Sequence, residues 1–153
     1  MKHESGRSMI EMIGVLAIMG IITAGAFVLI STAINTQKRS RVTDDVTAIV
    51  SGVRSLLGEY DDFSNIDNST IFGAISMSNK NPYGGTYELS VNPLDNRQFI
   101  VKVTGLSKSD CEGLVTKAWF DSVGYMSSNH KESGATGNCK NSNDNVVSII
   151  YGE

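Results

Sequence analysis

Proline, cysteine and, over one long stretch, charge are scarce in this sequence. Only two prolines occur among 153 residues, Pro82 and Pro93, and neither falls between Met9 and Tyr60. That leaves a long N-terminal helix without its strongest breaker. Two cysteines, Cys111 and Cys139, have no second pair of ligands near them, so they form no metal motif, and no metal or cofactor is implied. Histidine is limited to His3 and His130, and the sequence has no glycine-rich phosphate loop, no Ser/His/Asp set and no Cys/His pair. It therefore offers no catalytic site, and the expectation is that the protein is not an enzyme. Positive charge is not in excess either: 13 basic against 16 acidic residues give a net charge of −3, which argues against a nucleic-acid-binding surface.

The longest gap is the most informative. From Met12 to Ile34 the sequence contains no charged residue, more than the ~20 residues needed to cross a ~30 Å hydrocarbon core. The run is too long for a secretory signal peptide, and its small residues at 23–26 lie inside the apolar stretch rather than after it. Beyond Asn35 the composition is that of a soluble domain. Glu11 stands at the edge of the run, after Met9 and Ile10. A plain membrane anchor gains nothing from a carboxylate there, and an ionisable residue at bilayer depth is a functional hypothesis whose partner has to be found.

The order of features at the start, Gly6-Arg7-Ser8-Met9-Ile10-Glu11 followed at once by the apolar run, resembles the processing site of type IV prepilins. The resemblance implies that a dedicated peptidase cuts after Gly6 on the cytoplasmic side and methylates the new N-terminus at Arg7. It also implies that Glu11, five residues into the mature chain, pairs with the N-terminus of a neighbouring subunit. Arg7 departs from the hydrophobic residue usual at that position. The implied organisation is a leader at 1–6, a transmembrane and assembly half-helix at 7–34, and an exported globular domain at 35–153.

Past the membrane run, Val42, Val46, Ile49, Val50, Val53, Leu56 and Leu57 recur at i, i+3, i+4, i+7 spacing between polar residues, the pattern of a helix with one apolar stripe. A single helix from Met9 to Tyr60 would be about 78 Å long. Gly14, Gly20 and Gly25 weaken it by about 1 kcal/mol each relative to alanine, leaving close helix packing or local loosening as readings. Lys38, Arg39 and Arg41 follow the span; by the positive-inside rule they favour a cytoplasmic C-terminal side. The prepilin motif and the cysteines favour export, with the basic residues as a solvated helix face.

In the remaining chain, residues 86–91 and 98–103 alternate apolar and polar around a Pro93-Leu94-Asp95-Asn96 turn, predicting an antiparallel hairpin. Ser107 or Ser109 is placed to cap a short helix running to Trp119. Residues 146–151 read as a last strand, and Trp119 and Phe120 as core. The stretch from Asp61 to Asn68 has carboxylates at spacings that fit no calcium-loop pattern, and residues 61–80 suggest no element. Cys111 and Cys139 permit a single intrachain bridge suited to an oxidising compartment, the alternative being two unpaired thiols.

The segments VTGLSKSDCEGLV and NPYGGT resemble parts of type IVb pilins, in which the helix cysteine opens a disulfide-bounded C-terminal region. The expectation is an α+β fold, with a long N-terminal helix packed on a small antiparallel sheet and one C-terminal disulfide. The implied function is a structural subunit that polymerises through its apolar helix into a surface filament for adhesion, motility, conjugation or DNA uptake. Its implied partners are identical or related subunits, a prepilin peptidase, the pilus assembly machinery of the inner membrane and, before assembly, the membrane itself. A minor pilin or a type II secretion pseudopilin is the alternative within the class. A single-span periplasmic binding module is the alternative outside it.

Overall fold

The computed structural model describes residues 5–58, 62–127 and 138–152. Its elements are α1 (Ser5–Leu57), α2 (Asn68–Ala74), β1 (Tyr87–Asn92), β2 (Asp95–Leu106), α3 (Lys108–Val115), β3 (Gly124–Ser127) and β4 (Asn145–Gly152). The chain divides into two compact units, Met1–Lys38 and Arg39–Glu153.

The first unit is the apolar part of α1. Its large hydrophobic side chains are all exposed, from Ile34 at 46% to Ile10 and Ile21 at 75%. The stretch is long and apolar enough to cross a membrane, with a mean hydropathy of 2.6. The hydroxyls it contains are bonded within the helix: Thr23 donates to the Met19 carbonyl at 2.7 Å, Ser31 to Phe27 at 3.0 Å and Thr32 to Val28 at 3.0 Å. This spares each hydroxyl the cost of entering an apolar medium without a partner.

The second unit is the α+β domain the sequence predicts. A four-stranded antiparallel sheet in the order β1-β2-β4-β3 lies against the rest of α1, whose Val42, Val46, Ile49, Val50 and Val53 are buried. Phe99, Val101 and Val103 of β2 and Val147, Ile149 and Tyr151 of β4 supply the facing side chains. Register pairs Phe99 with Tyr151 and Val101 with Ile149. Phe99 is fully buried, 4.9 Å from the Phe63 ring and 5.6 Å from that of Tyr151. Tyr87 ties β1 to the helix by donating its hydroxyl to Asp45 at 2.8 Å, and burial raises the Tyr87 pKa.

The hairpin and the last strand form as the alternation predicts, with β2 extended to Leu106 and β4 opening at Asn145. Past Val103 the register of β2 shifts at Gly105, which has φ of +72°. Here the backbone meets that of Gly85: a β-carbon on Gly85 would stand 2.1 Å from the Thr104 carbonyl oxygen. Only glycine fits there.

Several expectations require correction. Helix α1 ends at Leu57, short of Tyr60, which lies outside the described residues, as do residues 1–4 of the expected leader and His130. Leu56 continues the stripe in sequence but is 43% exposed, whereas Leu57 in the same turn packs against the core. Helix α3 stops at Val115 rather than Trp119: the Trp119 indole donates to the Leu114 carbonyl at 3.0 Å, occupying a last-turn acceptor and folding the chain back. Trp119 is buried as expected, whereas Phe120 is 94% exposed.

Two elements had no sequence signal. In the unassigned stretch 61–80, Asp67 caps the short α2. The next residue, Asn68, accepts from the Leu89 amide at 2.7 Å and donates to its carbonyl at 3.1 Å, covering the open edge of β1. The four-residue β3 was likewise unforeseen.

Candidate functional site

Gly6 and Arg7 fall in the first turn of α1. Glu11 follows one turn later, exposed, beside Met12, Val15 and Leu16. Among the described residues Glu11 has no ion-pair partner, unlike Glu112, which pairs with Lys108, and Asp121, which pairs with Arg54. Because the hydroxyls of Thr23, Ser31 and Thr32 are internally bonded, the Glu11 carboxylate is the one polar side chain among residues 9–34 whose burial would demand something from outside. Gly14, Gly20 and Gly25 have nothing within 4 Å of where a β-carbon would stand. The helix propensity they forfeit is returned by no contact among the described residues.

The second feature is the cysteine pair. Cys111, fully buried on α3, is joined to Cys139 across 28 residues, with their α-carbons 5.9 Å apart. The disulfide excludes the alternative of two free thiols. Ser107 opens α3 by accepting from the Asp110 amide at 3.3 Å, which selects it over Ser109 as the cap.

After α3, the Lys117 ammonium lies 4.9 Å from the Trp119 ring and contacts the Thr43 hydroxyl of α1. Burial lowers the Lys117 pKa, and Asp44 opposes the shift. Arg54 near the end of α1 pairs with Asp121, whose φ is +61°.

Of the carboxylates in the 61–68 stretch, Asp61 lies outside the described residues, and Asp62 and Asp67 are held by local hydrogen bonds. Asp62 accepts from the Ser64 amide at 2.8 Å. Asp67 accepts from the Thr70 amide and hydroxyl, each at 2.8 Å, and from the Ser69 hydroxyl at 2.5 Å. These bonds hold its pKa down at about 2. No group of three or more metal-ligating side chains occurs among the described residues.

Sequence reasoning missed the buried asparagines. Asn81 donates to the carbonyls of Thr86 and Thr104 and accepts from the amides of Tyr83 and Gly85, which organises the Pro82 turn. Asn145 has a similar arrangement near Cys139. Both stand in polar sequence, where an asparagine reads as solvated.

The chain thus continues from an exposed apolar half-helix with one carboxylate near its start into a disulfide-closed α+β domain. Its sequence relatives are pilins. The chain is 29% identical over 138 residues to the toxin coregulated pilin of Vibrio cholerae serotype O1, covering 80% of this chain and 59% of that protein. It is 28% identical over 128 residues to the major structural subunit of the bundle-forming pilus of Escherichia coli O127:H6, covering 75% of this chain and 65% of that one. The chain thus spans about three-fifths to two-thirds of the length of these relatives. No family model matches it. The chain is thus similar to these two pilins over three-quarters or more of its length.

Proposed function

We propose that the protein is a structural subunit of a type IV pilus, polymerising through the apolar half of α1. The observation that carries this reading is the exposed helix half itself, 46–75% exposed at its large hydrophobic positions with a single carboxylate at its start. Homology to a major structural subunit of a pilus supports an abundant pilin over a pseudopilin. The disulfide supports export of the second unit to an oxidising compartment. It thereby outweighs the basic residues after the span.

In this reading the precursor sits in the inner membrane, the prepilin peptidase cleaves after Gly6, and the α-amino group freed at Arg7 becomes available. Membrane-bound, the Glu11 carboxylate rests near the headgroups. In a filament it is surrounded by apolar helices and needs a cation. A unit pair at 4 Å attracts by about 4 kcal/mol at an effective dielectric near 20, before desolvation is set against it. Axial displacement would leave both charges buried and unpaired, so the pair sets the register between subunits. Gly14, Gly20 and Gly25 then let neighbouring helices approach closely.

The test is Glu11→Val, with the membrane-bound chain and the sheared filaments quantified separately. Intact mass should show a mature chain starting at Arg7 in wild type and variant alike, with filament yield sharply reduced in the variant. Normal filaments would remove assembly as the role of this carboxylate. A chain retaining Met1 would leave the single-span module as the better reading.

A further inference from the structure

Asn145 is 1% exposed and opens β4 opposite Leu106, the last residue of β2. Its amide nitrogen lies 3.1 Å from the Leu106 carbonyl, 2.9 Å from that of Lys140 and 2.9 Å from that of Ser142. Its carbonyl oxygen accepts from the Lys140 amide at 2.7 Å. One buried side chain thus holds the two segments that carry the cysteines. Lys140 directly follows Cys139. Leu106 directly precedes the Ser107 cap, whose carbonyl accepts from the Cys111 amide at 2.9 Å in the first turn of α3. None of the Asn145 bonds uses a cysteine atom; they need only the β2–β4 pairing and the asparagine.

We propose that Asn145 is the positioning residue for the Cys111–Cys139 disulfide, bringing the two thiols together before oxidation so that the bridge closes on a site already built by the sheet. Oxidation by glutathione disulfide proceeds in two exchanges. One cysteine thiolate attacks a sulfur of the oxidant, forming a mixed disulfide and releasing one glutathione thiolate. The second cysteine, as thiolate, attacks the protein sulfur of that mixed disulfide and releases the other. Two protein thiols are oxidised, one glutathione disulfide is reduced to two thiols, and the protons lost by the cysteines pass through solvent to the glutathione thiolates. Only the second exchange is intramolecular, and its equilibrium depends on how closely the folded chain holds the two sulfurs. Asn145 acts there. The inference is independent of filament assembly, since it concerns the second unit alone.

The experiment equilibrates the full-length protein in detergent micelles with glutathione buffers of graded ratio, then quenches, alkylates and counts thiols by mass. Asn145→Ala should lower the equilibrium constant for disulfide formation about tenfold, equivalent to a potential about 30 mV less reducing. An unchanged constant would overturn the proposal. Because Asn145→Ala also leaves buried backbone groups unpaired, a second arm keeps the asparagine and removes the bridge. In the Cys111→Ser/Cys139→Ser double variant, hydrogen exchange should still protect the Lys140 amide. Exchange at the rate of an unstructured amide would show that the bridge builds the clamp, and the proposal would fall.

Discussion

Ile18 and Ile49 occupy the same helix, yet Ile18 is 60% exposed and Ile49 fully buried. The first belongs to a stretch apolar on every face, the second to a stripe between polar residues such as Asp44 and Arg54. The all-apolar surface has no partner among the described residues, and such a surface is stabilised by a membrane or by other chains. An apolar stripe needs only one sheet to cover it. The continuous helix therefore serves two solvents, and substitutions in its two halves should be felt in different assays.

The sharpest separation comes from paired substitutions. Phe99→Ala empties a fully buried site between Phe63 and Tyr151 and should destabilise the domain by about 3–5 kcal/mol. Leu16→Ala, at a position 65% exposed, should leave the urea midpoint of the domain unchanged while reducing filament yield. Urea titration of both variants in micelles, followed by tyrosine and tryptophan fluorescence, checks this. A Leu16→Ala midpoint shifted as far as that of Phe99→Ala would erase the distinction between the halves.

Next in size is the bridge. Closing a 28-residue loop restricts the unfolded chain by about 3.6 kcal/mol in the chain-entropy treatment, reduced by any strain in the folded state. That is a large share of the 5–15 kcal/mol typical of a domain. Cys111→Ser should therefore lower both the urea midpoint and the amount of protein recovered from the periplasm. The apolar half-helix, which belongs to the other unit, should insert as before. Equal loss of membrane insertion would show that the two regions are not independent.

What could be read from the sequence follows the same division. The apolar run is long and uncharged and the Val42–Val53 stripe is periodic, so the long helix was legible. So were β1, β2 and β4, whose alternation is imposed by a one-sided core. Glu11 stood out because a carboxylate at the edge of an apolar run is costly. Phe120 could not be told from Trp119 by composition: only the Trp119–Leu114 hydrogen bond turns one ring inward and leaves the other in solvent. Helix α2 has seven residues, too few for a periodic signal, and is fixed by its Asp67 cap and by Asn68 against β1. Asn145 was hidden because its four partners are backbone groups, which every residue carries.

The smallest expected effect concerns α2 and acid. Hydrogen bonds from Ser69 and Thr70 hold the Asp67 pKa at about 2, below the value of 3.8 for an unperturbed aspartate. A carboxyl group with a lower pKa in the folded state than in the unfolded state binds fewer protons when folded. Its contribution to stability is therefore complete above the unfolded value and is lost as the pH falls from about 4 towards 2. The side chain is exposed, so solvent and salt weaken the effect, and the loss should be confined to α2 and the β1 edge that Asn68 covers. Hydrogen exchange at pH 5 and pH 2.5 is the measurement. The Thr70 amide, which donates to Asp67, should lose protection at the lower pH, after correction for intrinsic rates, while the Val101 and Ile149 amides keep theirs. Asp67→Asn, which cannot ionise, should abolish the pH dependence at Thr70. If that variant showed the same acid sensitivity, the carboxylate would not be its source, and the loosening of α2 would have to be sought in another titrating group.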